Sequence, residues 1–483
     1  MKSKSIGKNA IANGLKTLCS VLFPLISYPY VATILQVDNL GKYSFSYSII
    51  NYFYLLSSLG IATYAIREGS KIRENKNDFS IFASEIFTIN IASTVSSYFI
   101  LFFVLLYIPQ LHIYSVTISI LSITMFFSLL GCEWIYSVYE EYMYITIRTV
   151  LFQLISLLLL FLLVKDVNDV NVYAGIIVLA ASGAQLMNFI YLRKHCNITI
   201  RFSKSILKHI KPILIMFAGT LTISIYVSSD MTILGFISGD YEVGLYAIST
   251  KIYTIIKQIM SGIIIVSIPR LSFYLGNRLN DEFIKLCNKI VYILTFLLMP
   301  TIIGVIILSR NIIVFISDES YLDASCSLVI LGWSLLVCLY NWFYTSCVLI
   351  PNNKERVVLI ITLIASVINV GLNFIFIPLL NEIGAAITTF IAEACSLILC
   401  AVYSRTIYII RLNVRFVISV VIGCVYIAIV CLIVRDIVEF NTAVIVISIF
   451  ISTVGYCVIE LLLKNIAAVE MLKYGRLLIG KWR

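Results

Sequence analysis

"STKIYTIIKQIMSG", residues 249–262, lies inside a longer apolar run and yet carries two lysines, Lys251 and Lys257. Whether that run crosses a membrane decides the fold. Its flanks extend the apolar stretch to about 245–268, and a membrane helix needs about 20 apolar residues to cross roughly 30 Å of hydrocarbon. The rest of the chain has the same character. Of its 483 residues, 60% are hydrophobic and only 12% charged, with a mean hydropathy of +1.00. A soluble globular protein is about half apolar and a quarter charged. The composition therefore indicates a polytopic membrane protein.

Fourteen stretches of suitable length are expected to span: about 10–35, 44–66, 79–107, 113–138, 142–164, 172–192, 212–237, 245–268, 290–316, 326–350, 357–380, 383–403, 416–434 and 442–463. The division between the eleventh and twelfth is the least distinct. Continuous runs of Leu, Ile, Phe and Val favour helices over the alternating strands of a β-barrel. The first run is too long for a signal-peptide core and lacks a small-residue cleavage site, so it is expected to remain as a helix.

The net charge of +10 invites a nucleic-acid reading that its distribution removes. With the N-terminus cytoplasmic, 27 Lys and Arg fall in cytoplasmic segments and only Lys42, Lys165, Arg310 and Arg435 on the other side. That is a strong positive-inside bias. Both termini are expected to be cytoplasmic. One loop departs from the rule: "YEEY", 139–142, should be cytoplasmic but carries two Glu and no base.

The function classes shrink accordingly. The longest loops, about 193–211 and 269–289, leave no room for a soluble catalytic domain, and no phosphate-loop motif G-x-x-x-x-G-K-[ST] is present. The 12 cysteines are scattered, without C-x-x-C or a Cys/His cluster, so neither a metal site nor a disulfide framework is expected. His112, His195 and His209 fall in loops and are expected to be surface residues.

A faint internal repeat is present. At an offset of 203, "ILQVDNLGKYS" (34–44) aligns with "ISGDYEVGLYA" (237–247), bringing Gly41 onto Gly244, Tyr43 onto Tyr246 and Arg67 onto Arg270. At an offset of 208, "WIYS" (134–137) aligns with "WFYT" (342–345) and Arg148 with Arg356. The expected architecture is all-α: two six-helix lobes, 1–192 and 212–403, related by a parallel repeat and joined by a basic cytoplasmic linker, 193–211. Residues 404–483 add two helices and a basic tail. Parallel repeats with a substrate path between them recur among transporters.

The charges inside these spans are the candidate functional groups. A Lys at a helix centre costs about 2.5–3.5 kcal/mol on insertion scales. Lys257 would lie roughly 18 Å below the outer end of its helix, too deep for easy snorkelling. Asp230 sits at a depth matching Lys251 on the neighbouring antiparallel helix, so an Asp230–Lys251 ion pair is expected; the alternative is that both face a watery cavity. Lys257 is a candidate for an anionic headgroup, or for structural pairing with Glu393. Lys16 and Arg148 lie near cytoplasmic helix ends, where snorkelling competes with function. Glu133 could pair with Arg148. Glu85 and Glu460 are expected at the interface, and Pro24, Pro29 and Pro300 are expected to kink their helices. The 30 tyrosines fit aromatic belts, with a sugar path as the alternative.

"GKNAIANGLKTL", "LGKYSFSYSIINYFYLLSSLGIATYAIREGSKIR", "VSSDMTILGFISGDYEVGLYAISTKIYTIIK" and "WFYTSCVLIPNNKERVVL" resemble the Wzx-type flippases of O-antigen and capsular polysaccharide assembly. These belong to the superfamily that includes MATE-type multidrug exporters and lipid II flippases. The resemblance covers about residues 5–400. It implies movement of an undecaprenyl-diphosphate-linked oligosaccharide across the bacterial inner membrane, with no cofactor. Membrane lipids and other polysaccharide-assembly membrane proteins are the further partners it suggests. It also implies a cationic cavity for the diphosphate, which maps onto Lys257 and Lys251, with Arg67, Arg270, Lys16 and Arg148 nearer the cytoplasmic entrance. Asp230, Glu133 and Glu393 are the candidates for ion coupling. "VYEEY" departs from the Gly-Leu-Glu-Lys-like turn of many relatives. The nearest rival is a multidrug exporter, which would favour carboxylates over midplane lysines. A polysaccharide polymerase would need a sizeable outer loop, which this chain lacks.

Overall fold

Long apolar runs with intrahelical backbone pairing become long helices, because lipid offers the peptide groups no other partner. In the computed structural model, which describes residues 6–192, 196–470 and 472, α-helices carry almost the whole of the described chain. Of the charges counted above, Lys2, Lys4, Arg193, Lys194, Lys473, Arg476, Lys481 and Arg483 lie outside the described residues, as does His195. Among the described residues, 11 helices are long and apolar enough to span, or up to 12 if a bent pair within 204–237 is one span. Their outer faces carry bare apolar side chains, such as Val266 (80% exposed) and Phe450 (70% exposed). Water would penalise such faces, whereas lipid does not.

The chain forms two compact units, Met1–Gly244 and Leu245–Arg483. The first contains α1 (Ile6–Ser58), α2 (Ile61–Ile72), α3 (Lys76–Tyr107), α4 (Ser115–Gly131), α5 (Glu133–Val138), α6 (Tyr142–Leu163), α7 (Val170–Tyr191) and α8 (Leu207–Ile237). The second takes most of α9 (Asp240–Gly276), then α10 (Asn280–Ile307), α11 (Ser309–Ile316), α12 (Ala324–Phe343), α13 (Glu355–Ser404), α14 (Val414–Ile437) and α15 (Asn441–Leu462).

Two helices are too long for one crossing. At 53 residues, α1 would measure about 80 Å if straight. It is broken at Gln36, whose φ of 59° and ψ of −179° are not helical. The 50-residue α13 is broken at Asn381, with φ 50° and ψ −128°. There the chain doubles back: a Cβ on Gly384 would collide with the Phe376 carbonyl, and Thr388 donates to Asn373 across the break. Pro24, Pro29 and Pro300 all remain inside helices, while the non-helical residues are Gln36 and Asn381. A proline removes one hydrogen bond but keeps a helical φ, and neighbours in a bundle tolerate the loss.

The first unit closes where backbones meet. Gly41 and Gly244 allow the segment after the α1 break to cross the start of α9. A Cβ on Gly41 would overlap the Asp240 carbonyl, and one on Gly244 the Val37 carbonyl. Small residues permit this closeness, and dispersion contacts replace the missing hydrophobic drive between helices. Further on, α4 and α6 pack against α7, and α8 packs along α1, where the Thr232 hydroxyl donates to Ser48 at 2.9 Å. In the second unit α12 packs on α13, and α14 bridges α10 and α15.

The acidic loop that departed from the charge rule is neutralised locally. Arg73, after α2, donates to Glu140 Oε1 at 2.8 Å and to the Val138 carbonyl at 2.8 Å. His209 is expected at the surface and Glu85 at the interface, and both are buried within the protein. His209 is 4% exposed: its Nε2 lies 3.0 Å from Glu85 Oε2 and its Nδ1 2.7 Å from the Tyr64 hydroxyl. Glu460, also expected at the interface, is fully buried in α15. Each sits near a helix end in sequence, but neighbouring elements cover it.

Candidate functional site

The first unit assembles a charged triad from three distant segments. Lys16 on α1 donates to Glu133 Oε1 at 3.0 Å, and Arg148 on α6 reaches Glu133 Oε2 at 3.3 Å. Glu133 is placed there by the left-handed Cys132 (φ 40°, ψ 42°), which ends α4 and starts the short α5 in a new direction. Arg148 is 3% exposed, so snorkelling does not describe it. Its guanidinium lies 5.6 and 5.4 Å from the ring centres of Tyr136 and Tyr144, and it donates to the Ala184 carbonyl at 3.2 Å. Two cations share one carboxylate, so the cluster carries net positive charge. A stacked cation keeps much of its strength in such a desolvated setting.

Next to this triad are groups the sequence did not single out. Among the described residues, Gln185 Oε1, both polar atoms of the Asn188 side chain, and Arg148 Nε are buried without a hydrogen-bond partner. An unmet buried polar atom costs about 1–3 kcal/mol. Asn188 and Gln185 lie three apart on α7, so they share a face. Their only sequence signal was polarity inside an apolar run, which is weak for amides.

In the second unit the intramembrane charges gather around α9, α12 and α13. Lys257, half-buried, places its ammonium 5.4 Å from the centre of the Tyr253 ring one turn earlier. It lies near the buried Cys338 of α12 and within the electrostatic reach of Glu393. Glu393, buried on α13, accepts from Asn341 Nδ2 at 3.2 Å, and Asn341 Oδ1 in turn accepts from Ser396 at 3.2 Å. Asn341 thus orients the carboxylate toward the lysine's neighbourhood. An ammonium beside an aromatic face, with a carboxylate in electrostatic reach and no ion pair formed among the described residues, can take an anionic partner.

The remaining candidates are spread out. Arg67 is exposed, 2.9 Å from Glu68, which also takes Lys71 at 2.7 Å. Arg270 is exposed and donates to its neighbour Tyr274 at 2.8 Å. Asp230 is buried on α8 in the first unit, and Lys251 is half-buried on α9 in the second.

The family model for "Polysaccharide biosynthesis protein" matches residues 6–274. The chain is 25% identical over 429 residues to a putative O-antigen transporter of Escherichia coli, covering 85% of this chain and 97% of that one. It is 23% identical over 397 residues to the capsular polysaccharide biosynthesis protein CapF of Staphylococcus aureus, covering 80% and 95%. Among solved structures it resembles the lipid II flippase MurJ in an inward closed conformation, with a TM-score of 0.73, 15% identity and coverage of 95% and 99%. An inward-facing MATE family transporter of the MOP superfamily aligns with a TM-score of 0.55 and 14% identity, covering 80% and 97%. The fold is therefore shared with these two solved proteins. With more than half its length matched by the family model, the chain is a membrane protein of the polysaccharide biosynthesis protein family.

Proposed function

We propose that this protein is a flippase. It carries undecaprenyl-diphosphate-linked oligosaccharide repeat units from the cytoplasmic to the outer leaflet of the bacterial plasma membrane, for O-antigen or capsular polysaccharide assembly. Relatives named for O-antigen transport and capsular biosynthesis, matched nearly end to end, support the substrate class. The observation that carries the mechanism is Lys257, an ammonium on a long apolar helix within reach of a replaceable carboxylate, Glu393.

On this reading α1 and α13 each cross twice at their breaks. Together with α3, α4, α6, α7, α8, α9, α10, α12, α14 and α15, that makes fourteen crossings with both termini cytoplasmic. The lobes are 1–192 and 212–403, joined by 193–211, with 404–483 appended.

The diphosphate carries about two negative charges. An inside-negative potential of about 100 mV favours its export by roughly 4.6 kcal/mol if both charges cross the whole field. Desolvation in the apolar core is then the obstacle, and a cationic cavity offsets it. Lys257 takes the diphosphate in place of Glu393 during alternating access. Lys251, Arg67, Arg270, Lys16 and Arg148 supply the approach, and Asp230, Glu133 and Glu393 balance charge or couple ions. The test is the leaflet position of lipid-linked single repeat units in a deletion strain. Accumulation on the cytoplasmic face, reversed by the wild-type gene, is expected. Normal appearance on the outer face in a strain lacking any other flippase overturns the reading.

A further inference from the structure

The segment between α7 and α8 is held in an unusual way. Residues 196–202 are extended and run along α3, and their backbone is paired by side-chain hydroxyls. The N–H groups of Asn197, Thr199 and Arg201 donate to Ser80 (3.3 Å), Ser84 (3.1 Å) and Thr88 (3.0 Å). The register has a simple cause. Four helical residues rise about 6.0 Å. Two extended residues advance about 6.6 Å, so three rungs stay in step. Each hydroxyl gives its own proton to the carbonyl four residues back: Ser80 to Lys76, Ser84 to Ser80, Thr88 to Ser84, all at 2.7 Å. Its lone pairs are thereby left for the extended segment. The far end is fastened separately: Ser205 donates to Glu85, and His209 is gripped between Glu85 and Tyr64.

This fixed strap faces outward with a mixed surface. Phe202 is 88% exposed, Leu207 69% and Ile200 61%. Between them stand Arg201, Lys204, Lys208 and Lys211, all exposed. Lys208 is 3.9 Å from Glu85, but among the described residues Arg201, Lys204 and Lys211 form no ion pair. The height of the strap follows from α3. Its 32 residues measure about 48 Å, roughly 18 Å more than the hydrocarbon needs. The excess falls at its N-terminal end, where Lys76, Asn77, Asp78, Ser80 and Glu85 cluster and where the ladder lies. The strap therefore sits at headgroup depth.

We propose that residues 196–211 are a preorganised strap that docks on anionic phospholipid headgroups. Ile200, Phe202 and Leu207 enter the interfacial layer, and Arg201, Lys204 and Lys211 bind the negative charge of the lipid. Apolar side chains alternating with bases suit such a surface, and the charge selects anionic over zwitterionic lipid. The ladder keeps the segment from collapsing onto the protein.

The full-length Phe202→Trp protein in nanodiscs tests it, with wild type subtracted for the native tryptophans. Brominated phosphatidylglycerol and brominated phosphatidylcholine are compared as quenchers at equal mole fraction. Quenching by the anionic lipid is expected to be at least about twofold stronger. The preference should fall to parity in an Arg201→Gln/Lys204→Gln/Lys211→Gln background. It should also weaken in about 1 M salt, where the Debye length is about 3 Å, a measurement that needs no further variant. Quenching by neither lipid, as for a strap that faces water or a soluble protein, overturns the proposal. Equal quenching by both that salt and charge removal leave unchanged overturns it as well.

Discussion

Lys257 and Glu133 mark the two ways this chain handles charge in an apolar setting. Lys257 is a cation with a soft set of neighbours, and the proposed transport depends on its charge. Lys257→Ala is expected to reduce export at least about tenfold, as loss of about 1.4 kcal/mol or more of headgroup binding would. Lys257→Arg should retain a larger share. The measurement is the outer-leaflet repeat-unit level at matched protein abundance, and normal export by the alanine variant removes the assigned role. Glu133, by contrast, holds two cations together. Glu133→Gln leaves Arg148 buried against Tyr136 and Tyr144 without its carboxylate. A loss of about 1–3 kcal/mol is expected, since the residual hydrogen bonds to Arg148 are uncharged. Thermal unfolding in detergent reads this directly, and an unchanged midpoint would show that the triad carries no stability. Lys16→Gln, which removes only the half-buried partner and leaves the Glu133–Arg148 pair, should cost less.

At the scale of elements, the breaks and crossings carry the argument. Gly244 has no room for a side chain, because any Cβ meets the Val37 carbonyl. Gly262, on the same helix, has nothing within 4 Å of where its Cβ would be. Gly244→Ala is therefore expected to lower stability by about 1–3 kcal/mol, the cost of forcing packed elements apart. Gly262→Ala should be neutral or stabilise by up to about 1 kcal/mol through helix propensity. Opposite outcomes for two chemically identical substitutions on one helix would be seen as a lowered and an unchanged or raised melting midpoint. Equal effects would mean that the crossing after Gln36 is not as close as described. The hydroxyl ladder on α3 belongs to this scale too. It supplies to an isolated extended segment the acceptors a sheet neighbour would otherwise give, so residues 197–201 need no second strand.

For the whole molecule, the proposed cargo makes transport electrogenic unless an ion accompanies it. In proteoliposomes with the potential set by a potassium gradient and valinomycin, outward movement is expected to rise with the inside-negative potential. The limiting bias is about 4.6 kcal/mol per 100 mV for two uncompensated charges. A rate and distribution indifferent to potential would mean that the charge is neutralised during crossing, and attention would move to Asp230, Glu133 and Glu393 as coupling groups. Such a result would leave the leaflet assay untouched, so it tests energetics apart from identity.

The amino-acid sequence by itself determined that this is a helical membrane protein. Hydropathy adds up locally, and about 20 apolar residues in a row have few other stable homes. It also marked the glycines that cross, Gly41 and Gly244, through the internal repeat, and it placed Lys257 on a long apolar helix near Glu393 as one of two readings. The Glu133–Arg148 pair was offered by the sequence and is formed, but only the tertiary structure decided the other charge contacts. The Lys16–Glu133 contact joins residues 117 apart, and His209 meets Glu85 across 124. Local pattern carries little information about such pairs, which is why His209 read as a surface group, Glu85 as an interfacial one, and Asn188 and Gln185 did not stand out. The two helix breaks fall where the expected spans were divided, after 35 and after 380, but the residue that makes each turn was not marked. Proline announces itself in a sequence, but Gln36 and Asn381 adopt left-handed backbones because the turn there is imposed by packing on either side. Chain direction at those points is a property of neighbours, and neighbours are what a linear string leaves out.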